Sequence, residues 1–177
     1  MSLSPGPVAQ HGDGFFTWHA YDPSCKAELW STGFTGAKGT VLFDPIDWPK
    51  GSTPPATPLE IVRTNGNHDR NCDALCSLWR GKMTKEPAGF SAVPLPGAGE
   101  GETAYFHNTT GTLVVGDALI NLAPHGLMLL PDKYCTDPAL LRKSLGALAG
   151  LPIRRIFFAH GDPILQDGAE RIQKLLV

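Results

Sequence analysis

The sequence predicts a mixed α/β fold in which β-sheets are covered by helices. Short β-rich runs, such as Leu59–Thr64 and Arg154–Ala159, alternate with three segments whose apolar residues recur at helical spacing. Polar clusters follow directly after three of the predicted strands. Because rigid strand ends hold short side chains in register, these clusters also predict where a functional site lies.

Length and composition indicate one globular domain. The chain has 177 residues, 42% of them hydrophobic, which is enough to bury a core of its own. Its net charge is −2 and its basic residues form no block, so nucleic acid and anionic membrane surfaces are not expected partners. No signal-peptide pattern is present, and no apolar run approaches the roughly 20 residues that span a bilayer. A cytoplasmic location is therefore expected.

The first half of the chain predicts a hairpin-rich sheet. Residues 1–14 are rich in Ser, Pro and Gly and are expected to be a flexible segment, so that residues 15–177 make the single domain. The proline-rich stretch Trp48–Pro58 is expected to be a surface connection. Short strands are predicted before and after it, near Phe15–Trp18, Ala27–Phe34, Val41–Phe43 and Leu59–Thr64.

Three helices are predicted, near residues 70–80, 138–149 and 168–176. In the first, Cys72, Leu75, Cys76 and Trp79 follow the i, i+3, i+4, i+7 pattern of an amphipathic helix, so its cysteines are interpreted as small buried hydrophobes and not as a disulfide or metal site. The second begins at an Asp–Pro pair, and the third follows a sequence that resembles a capping box. Between the first two helices, strands are predicted near 89–93 and 126–130, with a hairpin over 103–115.

The polar octet Thr64–Asn71 joins a predicted strand to the first predicted helix. Side chains on such a turn converge at the end of a sheet beside a helix N-terminus, which is a suitable place for a site. Asn, Gly and Asp are also common turn and capping residues, so the octet alone does not establish a function. Two further polar clusters, at Asp117 and at His160–Asp162, follow other predicted strands.

These clusters resemble the metallo-β-lactamase superfamily. Its strand-turn-helix pattern T-H-x-H-x-D-H is similar to T-N-G-N-H-D-R at Thr64–Arg70. Its Gly/Pro loop, its strand ending in Gly-Asp and its last His-Gly are similar to Leu95–Gly101, Gly116–Asp117 and His160–Gly161. The resemblance covers about Trp18 to Val177, and it implies an αββα four-layer sandwich with the site at one edge between two sheets.

The departures from that pattern bear on the metal site. In the family the first metal is held by three histidines, whose positions here correspond to Asn65, Asn67 and Ala98. Neither a neutral amide nor a methyl group is a good ligand for Zn²⁺, which proteins hold with imidazole, thiolate or carboxylate. The resemblance therefore implies that the first metal position has been lost.

The second metal position is partly retained. The resemblance places its ligands at Asp69, Arg70, Asp117 and His160, and Arg has no lone pair with which to bind a metal. One interpretation is a single Zn²⁺, Mn²⁺ or Fe²⁺ ion held by the two carboxylates and the imidazole. The other, which we prefer, is that the Arg70 guanidinium pairs with the carboxylates in place of a metal, so that no cofactor is bound.

Two functions remain open on sequence grounds. The preferred hypothesis is a metallo-β-lactamase-fold protein that has lost most of its dinuclear zinc site and binds a small molecule or a protein without catalysis. The alternative is a hydrolase that uses a single metal at Asp69, Asp117 and His160, or acid–base chemistry at Asp69 and His160. His68 occupies a variable position of the motif, where it is either a supporting partner of Asp69 or a catalytic group of its own.

Overall fold

The computed structural model describes residues 3–176, and within them the chain forms two compact units. The first unit contains the described residues up to Arg63 together with His68–Ala88. The second contains Thr64–Asn67 and the described residues from Gly89 onward. The predicted mixed α/β class is confirmed, whereas the αββα stacking of layers stays a prediction.

The first unit is built on a six-stranded sheet whose strands lie in chain order. The first four strands pair antiparallel to one another, whereas the fifth is parallel to the fourth and the sixth is parallel to the fifth. The strands are β1 (Ala9–Gly12), β2 (Phe15–Asp22), β3 (Ala27–Gly36), β4 (Gly39–Phe43), β5 (Leu59–Val62) and β6 (Lys82–Met83).

Strand β1 lies in the segment that was expected to be flexible. Its main chain pairs with β2, and the His11 ring nitrogen Nε2 lies 2.7 Å from the Thr17 hydroxyl. The Gly6 amide also donates to the His19 carbonyl. Main-chain pairing holds this edge strand and needs no apolar alternation, so the sequence pattern did not indicate it. Residues 1 and 2 of the predicted flexible segment lie outside the described residues.

Helix α1 (Cys72–Leu78) packs on the first sheet and is shorter than predicted. Arg70 and Arg80, the expected first and last residues, have φ angles of 40° and 53°, which are left-handed and incompatible with an α-helix. Its buried face, with Cys72 and Leu75, joins the core cluster of this unit around Trp18. The predicted amphipathic face is therefore correct and only the helix ends differ.

The second unit contains a four-stranded sheet and a separate two-stranded one. The strands are β7 (Ser91–Pro94), β8 (Thr103–His107), β9 (Thr112–Val115), β10 (Leu119–Leu122), β11 (Gly126–Leu129) and β12 (Arg155–Phe158). In the larger sheet β9 lies between β8 and β12, antiparallel to β8 and parallel to β12, and β7 forms the edge beside β8. The predicted hairpin is the β8–β9 pair, whereas β6 and β10 were not predicted.

Two helices cover the core of the second unit. Helix α2 (Pro138–Ser144) begins as predicted, because the Asp137 carboxylate accepts a hydrogen bond from the Leu140 amide, and a 3-10 turn over Leu145–Leu148 continues it. Helix α3 is Gly168–Leu176, and its Ile172 joins the core cluster. Among residues 3–176, every helix is too short or too polar to cross a membrane.

Because of His107, at the end of β8, we expect the free energy of unfolding to depend on pH. Burial, assisted by the nearby Arg155 guanidinium, lowers the pKa of its imidazole. The His107 imidazole therefore binds a proton more readily in the unfolded chain than in the folded one. Its contribution to stability is present above pH about 6.5 and is lost as the pH falls through the folded-state pKa.

The measurement is urea denaturation of the parent and of His107→Gln between neutral and mildly acidic pH. We expect the parent to lose more unfolding free energy than the variant as the pH falls. Parallel pH profiles would contradict the assignment of this dependence to His107.

Candidate functional site

The turn Thr64–Asn67 is fixed in the second unit by main-chain hydrogen bonds. The Thr103 amide donates to the Thr64 carbonyl at 2.8 Å, and the Gly66 amide donates to the Glu100 carbonyl at 2.7 Å. The Asn65 side-chain oxygen accepts from the Asn67 amide at 2.9 Å. The predicted polar turn is thus present, and it holds the Asn65 amide group in one orientation.

The Asn65 side chain donates to two carboxylates. Its Nδ2 lies 2.7 Å from Glu102 Oε2 and 3.0 Å from Asp117 Oδ2, and the residue is only 4% exposed. Ionised carboxylates only accept hydrogen bonds, so the amide must turn its NH₂ group toward them. Its oxygen is already used by the Asn67 amide. Asn65 therefore presents hydrogen-bond donors, and no lone pair, toward Asp117.

Glu102 is a member of this site that the sequence analysis missed. It is 2% exposed, and its Oε1 accepts from the Ala118 amide at 3.0 Å while its Oε2 accepts from Asn65. The carboxylate thereby connects the Asn65 turn to the turn that carries Asp117. Glu102 directly follows the Gly/Pro loop, and Glu is rarely buried, so the sequence carried no signal for a buried functional role.

Asp117 and His160 lie together because their strands are parallel neighbours. Asp117 follows β9 and His160 follows β12, so both residues emerge at the same edge of the sheet. His160 Nε2 is 3.3 Å from Asp117 Oδ1, and the two side chains are 20% and 15% exposed. The structure thus confirms the expectation that these two strand ends share an edge, with one acid and one imidazole partly open to solvent.

Hydrogen bonds hold the turn after His160 against β10. The Asn121 amide donates to the His160 carbonyl at 3.1 Å, and the Asn121 side chain donates to the Asp162 carbonyl at 2.6 Å. The Asp162 amide returns a hydrogen bond to the Asn121 carbonyl. This pairing fixes the main chain on both sides of Gly161, and so it fixes the origin of the His160 side chain.

Ala98 lies in the Gly/Pro loop and is fully buried. Its carbonyl accepts from the Thr136 amide, and the neighbouring Gly97 carbonyl accepts from the Asp137 amide. The loop is therefore tied to the start of α2, and it places a methyl group at the position where the family resemblance implies a histidine ligand.

In the first unit, His68 is paired with Asp44. His68 Nδ1 lies 2.8 Å from Asp44 Oδ2, and both side chains are buried. Asp44 directly follows β4 with a left-handed φ of 47°, and no functional role was predicted for it from the sequence. The Asp44 carboxylate orients the imidazole through Nδ1, whereas the partnership of His68 with Asp69 stays a prediction.

Asp69 and Arg70 have partners other than each other. Asp69 is 72% exposed and forms an ion pair with Arg63. Arg70 donates to the main-chain carbonyls of Trp30 and Asp44, the second at 2.9 Å. These carbonyls were not expected partners of the Arg70 guanidinium, whose proposed pairing with Asp117 stays a prediction. The same holds for the use of Asp69 as a metal ligand or an acid–base group.

Cys72 is an inert thiol. Its Sγ–H donates to the His68 carbonyl, and burial together with the Asp44 carboxylate raises the thiol pKa to about 12. Only the thiolate is nucleophilic or binds a metal strongly, so Cys72 contributes neither chemistry at neutral pH. Its interpretation as a small buried hydrophobe agrees with this geometry.

Comparison with known proteins identifies the fold. No protein-family model and no curated protein matches the sequence. A metallo-β-lactamase from Hirschia baltica is 13% identical with a TM-score of 0.68, over 99% of this chain and 98% of that one. A beta-lactamase domain protein from Burkholderia ambifaria is also 13% identical with a TM-score of 0.70, over 95% and 71%.

A third structure, of a protein in a di-iron-bound form, is 22% identical with a TM-score of 0.58, over 81% of this chain and 93% of that one. At these identities the likeness establishes the fold and does not extend to activity or metal content. The chain therefore has the fold of the metallo-β-lactamase superfamily, as the motif resemblance predicted.

Proposed function

We propose that this chain is a metallo-β-lactamase-fold protein that binds a ligand without the dinuclear metal centre of a hydrolase. The observation that carries the proposal is the Asn65 side chain, which donates to both Glu102 and Asp117. The amide NH₂ group stabilises the two carboxylates by hydrogen bonding. It also directs donors, which repel a cation, toward the site.

The first metal position does not fit a metal ion. The family resemblance implies ligands at Asn65, Asn67 and Ala98. The Asn65 oxygen already accepts a hydrogen bond from the Asn67 amide, and Ala98 offers only a methyl group. Zn²⁺ sites in proteins use several imidazole, thiolate or carboxylate ligands, and none of these three residues supplies one.

The second position supports a second candidate function. Asp117 and His160 are a carboxylate and an imidazole 3.3 Å apart and partly exposed, and both are good ligand types for a single Zn²⁺, Mn²⁺ or Fe²⁺ ion. A structural neighbour is described in a di-iron-bound form. On this alternative the chain is a hydrolase with one metal, and recruitment of Asp69 as a ligand would require release of its ion pair with Arg63.

Metal content separates the two candidates. The full chain is incubated with Zn²⁺, Mn²⁺ or Fe²⁺, desalted, and measured by elemental analysis and against lactams, lactones and thioesters. We expect less than one equivalent of metal and no metal-dependent hydrolysis, because an ion at such sites supplies the nucleophilic water. Two equivalents of metal would overturn the proposal.

The control for the single-metal candidate is a pair of aspartate variants. Asp117→Ala removes a site carboxylate, whereas Asp132→Ala removes a surface carboxylate that pairs with Arg142. One equivalent of metal that is lost in Asp117→Ala and kept in Asp132→Ala would favour the hydrolase. A third variant, Asn65→His/Asn67→His/Arg70→His, should bind more metal than the parent if these substitutions are what removed the centre.

A further inference from the structure

We propose that a cavity in the first unit, beside Trp48, is a binding site for an uncharged small molecule that contains a ring. The cavity has a volume of about 480 Å³, which lies within the range of roughly 300 to 1,000 Å³ for small-molecule sites. All the residues that line it lie between Val8 and Ala56. The proposal is therefore independent of the proposed function at Asn65, Asp117 and His160.

The walls of the cavity come from the sheet and from the connection between β4 and β5. Phe16 of β2 and Trp48 supply flat aromatic surfaces, and Pro54 and Pro55 supply a rigid apolar surface from the proline-rich connection. The exposed Thr53 and Ala56 beside these prolines leave the cavity open to solvent. A ligand of moderate size can therefore enter without unfolding of the sheet.

Trp48 is held rigidly in its position. Its ring centroid lies 5.0 Å from that of Trp18, 5.4 Å from that of Trp79 and 6.2 Å from that of Phe16, all in edge-on geometry. Its indole N–H donates to the Ser52 carbonyl at 3.4 Å. A wall that is fixed before binding loses little conformational entropy when a ligand packs on it, which favours affinity.

The chemistry of the lining selects an uncharged ligand. Among the lining residues of the described chain no side chain carries a charge, so a phosphate, carboxylate or ammonium group would lose water without gaining an ion pair. Side chains of Gln10, Thr35 and Thr53 supply amide and hydroxyl groups that can form hydrogen bonds with a neutral ligand. Aromatic and proline surfaces pack well on the faces of rings. A neutral sugar and a neutral heterocycle share these properties.

The experiment follows the indole N–H resonances of the ¹⁵N-labelled full chain by NMR. The chain has four tryptophans, and Trp→Phe variants assign their signals. Two matched pairs of probes are titrated: methyl glucoside against glucose 6-phosphate, and adenosine against adenosine monophosphate. We expect one uncharged probe to shift the Trp48 signal saturably, with the Trp30 signal unchanged and the charged partner at least about tenfold weaker. The identity of the binding probe distinguishes a sugar from a heterocycle.

A cavity-filling variant tests the location. Ala56→Phe places a ring in the cavity and should weaken binding at least about tenfold, whereas Ala37→Phe adds the same ring to the exposed β3–β4 turn and should leave binding unchanged. The proposal is overturned if no probe gives a saturable Trp48 shift up to about 10 mM, if charged and uncharged partners bind equally, or if Ala56→Phe binds like the parent.

Discussion

Replacement of Gly161 by Ala should lower the free energy of unfolding by about 3 kcal/mol or more. Gly161 has a φ of +104°, and a Cβ built on it would lie 2.0 Å from the Asn121 carbonyl oxygen. This atom belongs to the main chain of β10, so it cannot rotate away as a side chain could. The variant must therefore both strain its own backbone and break the pairing of the His160 turn with β10.

The measurement is urea denaturation together with a thermal melt, in which a loss of about 3 kcal/mol corresponds to about 6 to 12 °C for a chain of this size. Gly146→Ala is the matched control, because a Cβ at Gly146 meets no atom within 4 Å and its φ is not left-handed. We expect the control to be neutral or slightly stabilising. Equal stability of the two variants would show that the turn can relax and does not hold His160 rigidly.

The sequence predicted those features that depend on local pattern. The apolar spacing of Cys72 and Leu75 located α1, and the Asp137–Pro138 pair located the start of α2. The prediction that Asp117 and His160 lie close together is correct, because they follow β9 and β12, which are parallel neighbours and end at the same edge of the sheet. Each of these conclusions follows from a few residues that are close in the chain or from a general rule of sheet geometry.

The features that the sequence did not predict depend on contacts between distant segments. Glu102 is buried because Asn65 and the Ala118 amide, 37 and 16 residues away in the chain, both donate to it. Asp44 is 24 residues from the histidine that it orients. A single acidic residue looks the same in a sequence whether it lies in solvent or in such a network, so only the three-dimensional structure shows that Glu102 accepts from Asn65 and that Asp44 pairs with His68.

The network around Glu102 also explains how the Asn65 turn is held beside the turn that carries Asp117. Here the Glu102 carboxylate and the Asn65 amide connect the same two turns by hydrogen bonds. On the proposed function, this connection keeps Asp117 in place for ligand binding.

Removal of the Glu102 carboxylate should therefore be strongly destabilising. In Glu102→Ala two buried donors, the Ala118 amide and one N–H of Asn65, lose their acceptor. Each unpaired buried donor costs about 1 to 3 kcal/mol, so the free energy of unfolding should fall by about 2 to 6 kcal/mol. Glu102→Gln keeps the shape but has one acceptor oxygen for the two donors, so we expect about half that loss. Glu100→Ala is the control, because Glu100 is exposed and accepts the hydrogen bond from the Gly66 amide with its main-chain carbonyl, which the substitution keeps.

The order of unfolding midpoints in urea should accordingly be Glu100→Ala, then Glu102→Gln, then Glu102→Ala, with the first close to the parent. The side-chain NH₂ resonances of Asn65 give a local readout, since each proton should move when its carboxylate partner is removed by Glu102→Ala or by Asp117→Ala. If Glu102→Ala unfolds at the same urea concentration as Glu100→Ala, or if the Asn65 resonances stay in place, the carboxylate does not connect the two turns. The position of Asp117 would then have to be set by the main chain at the end of β9. At Gly116 this main chain packs closely on the Thr64 turn, since an added Cβ would lie 2.4 Å from the Thr64 hydroxyl.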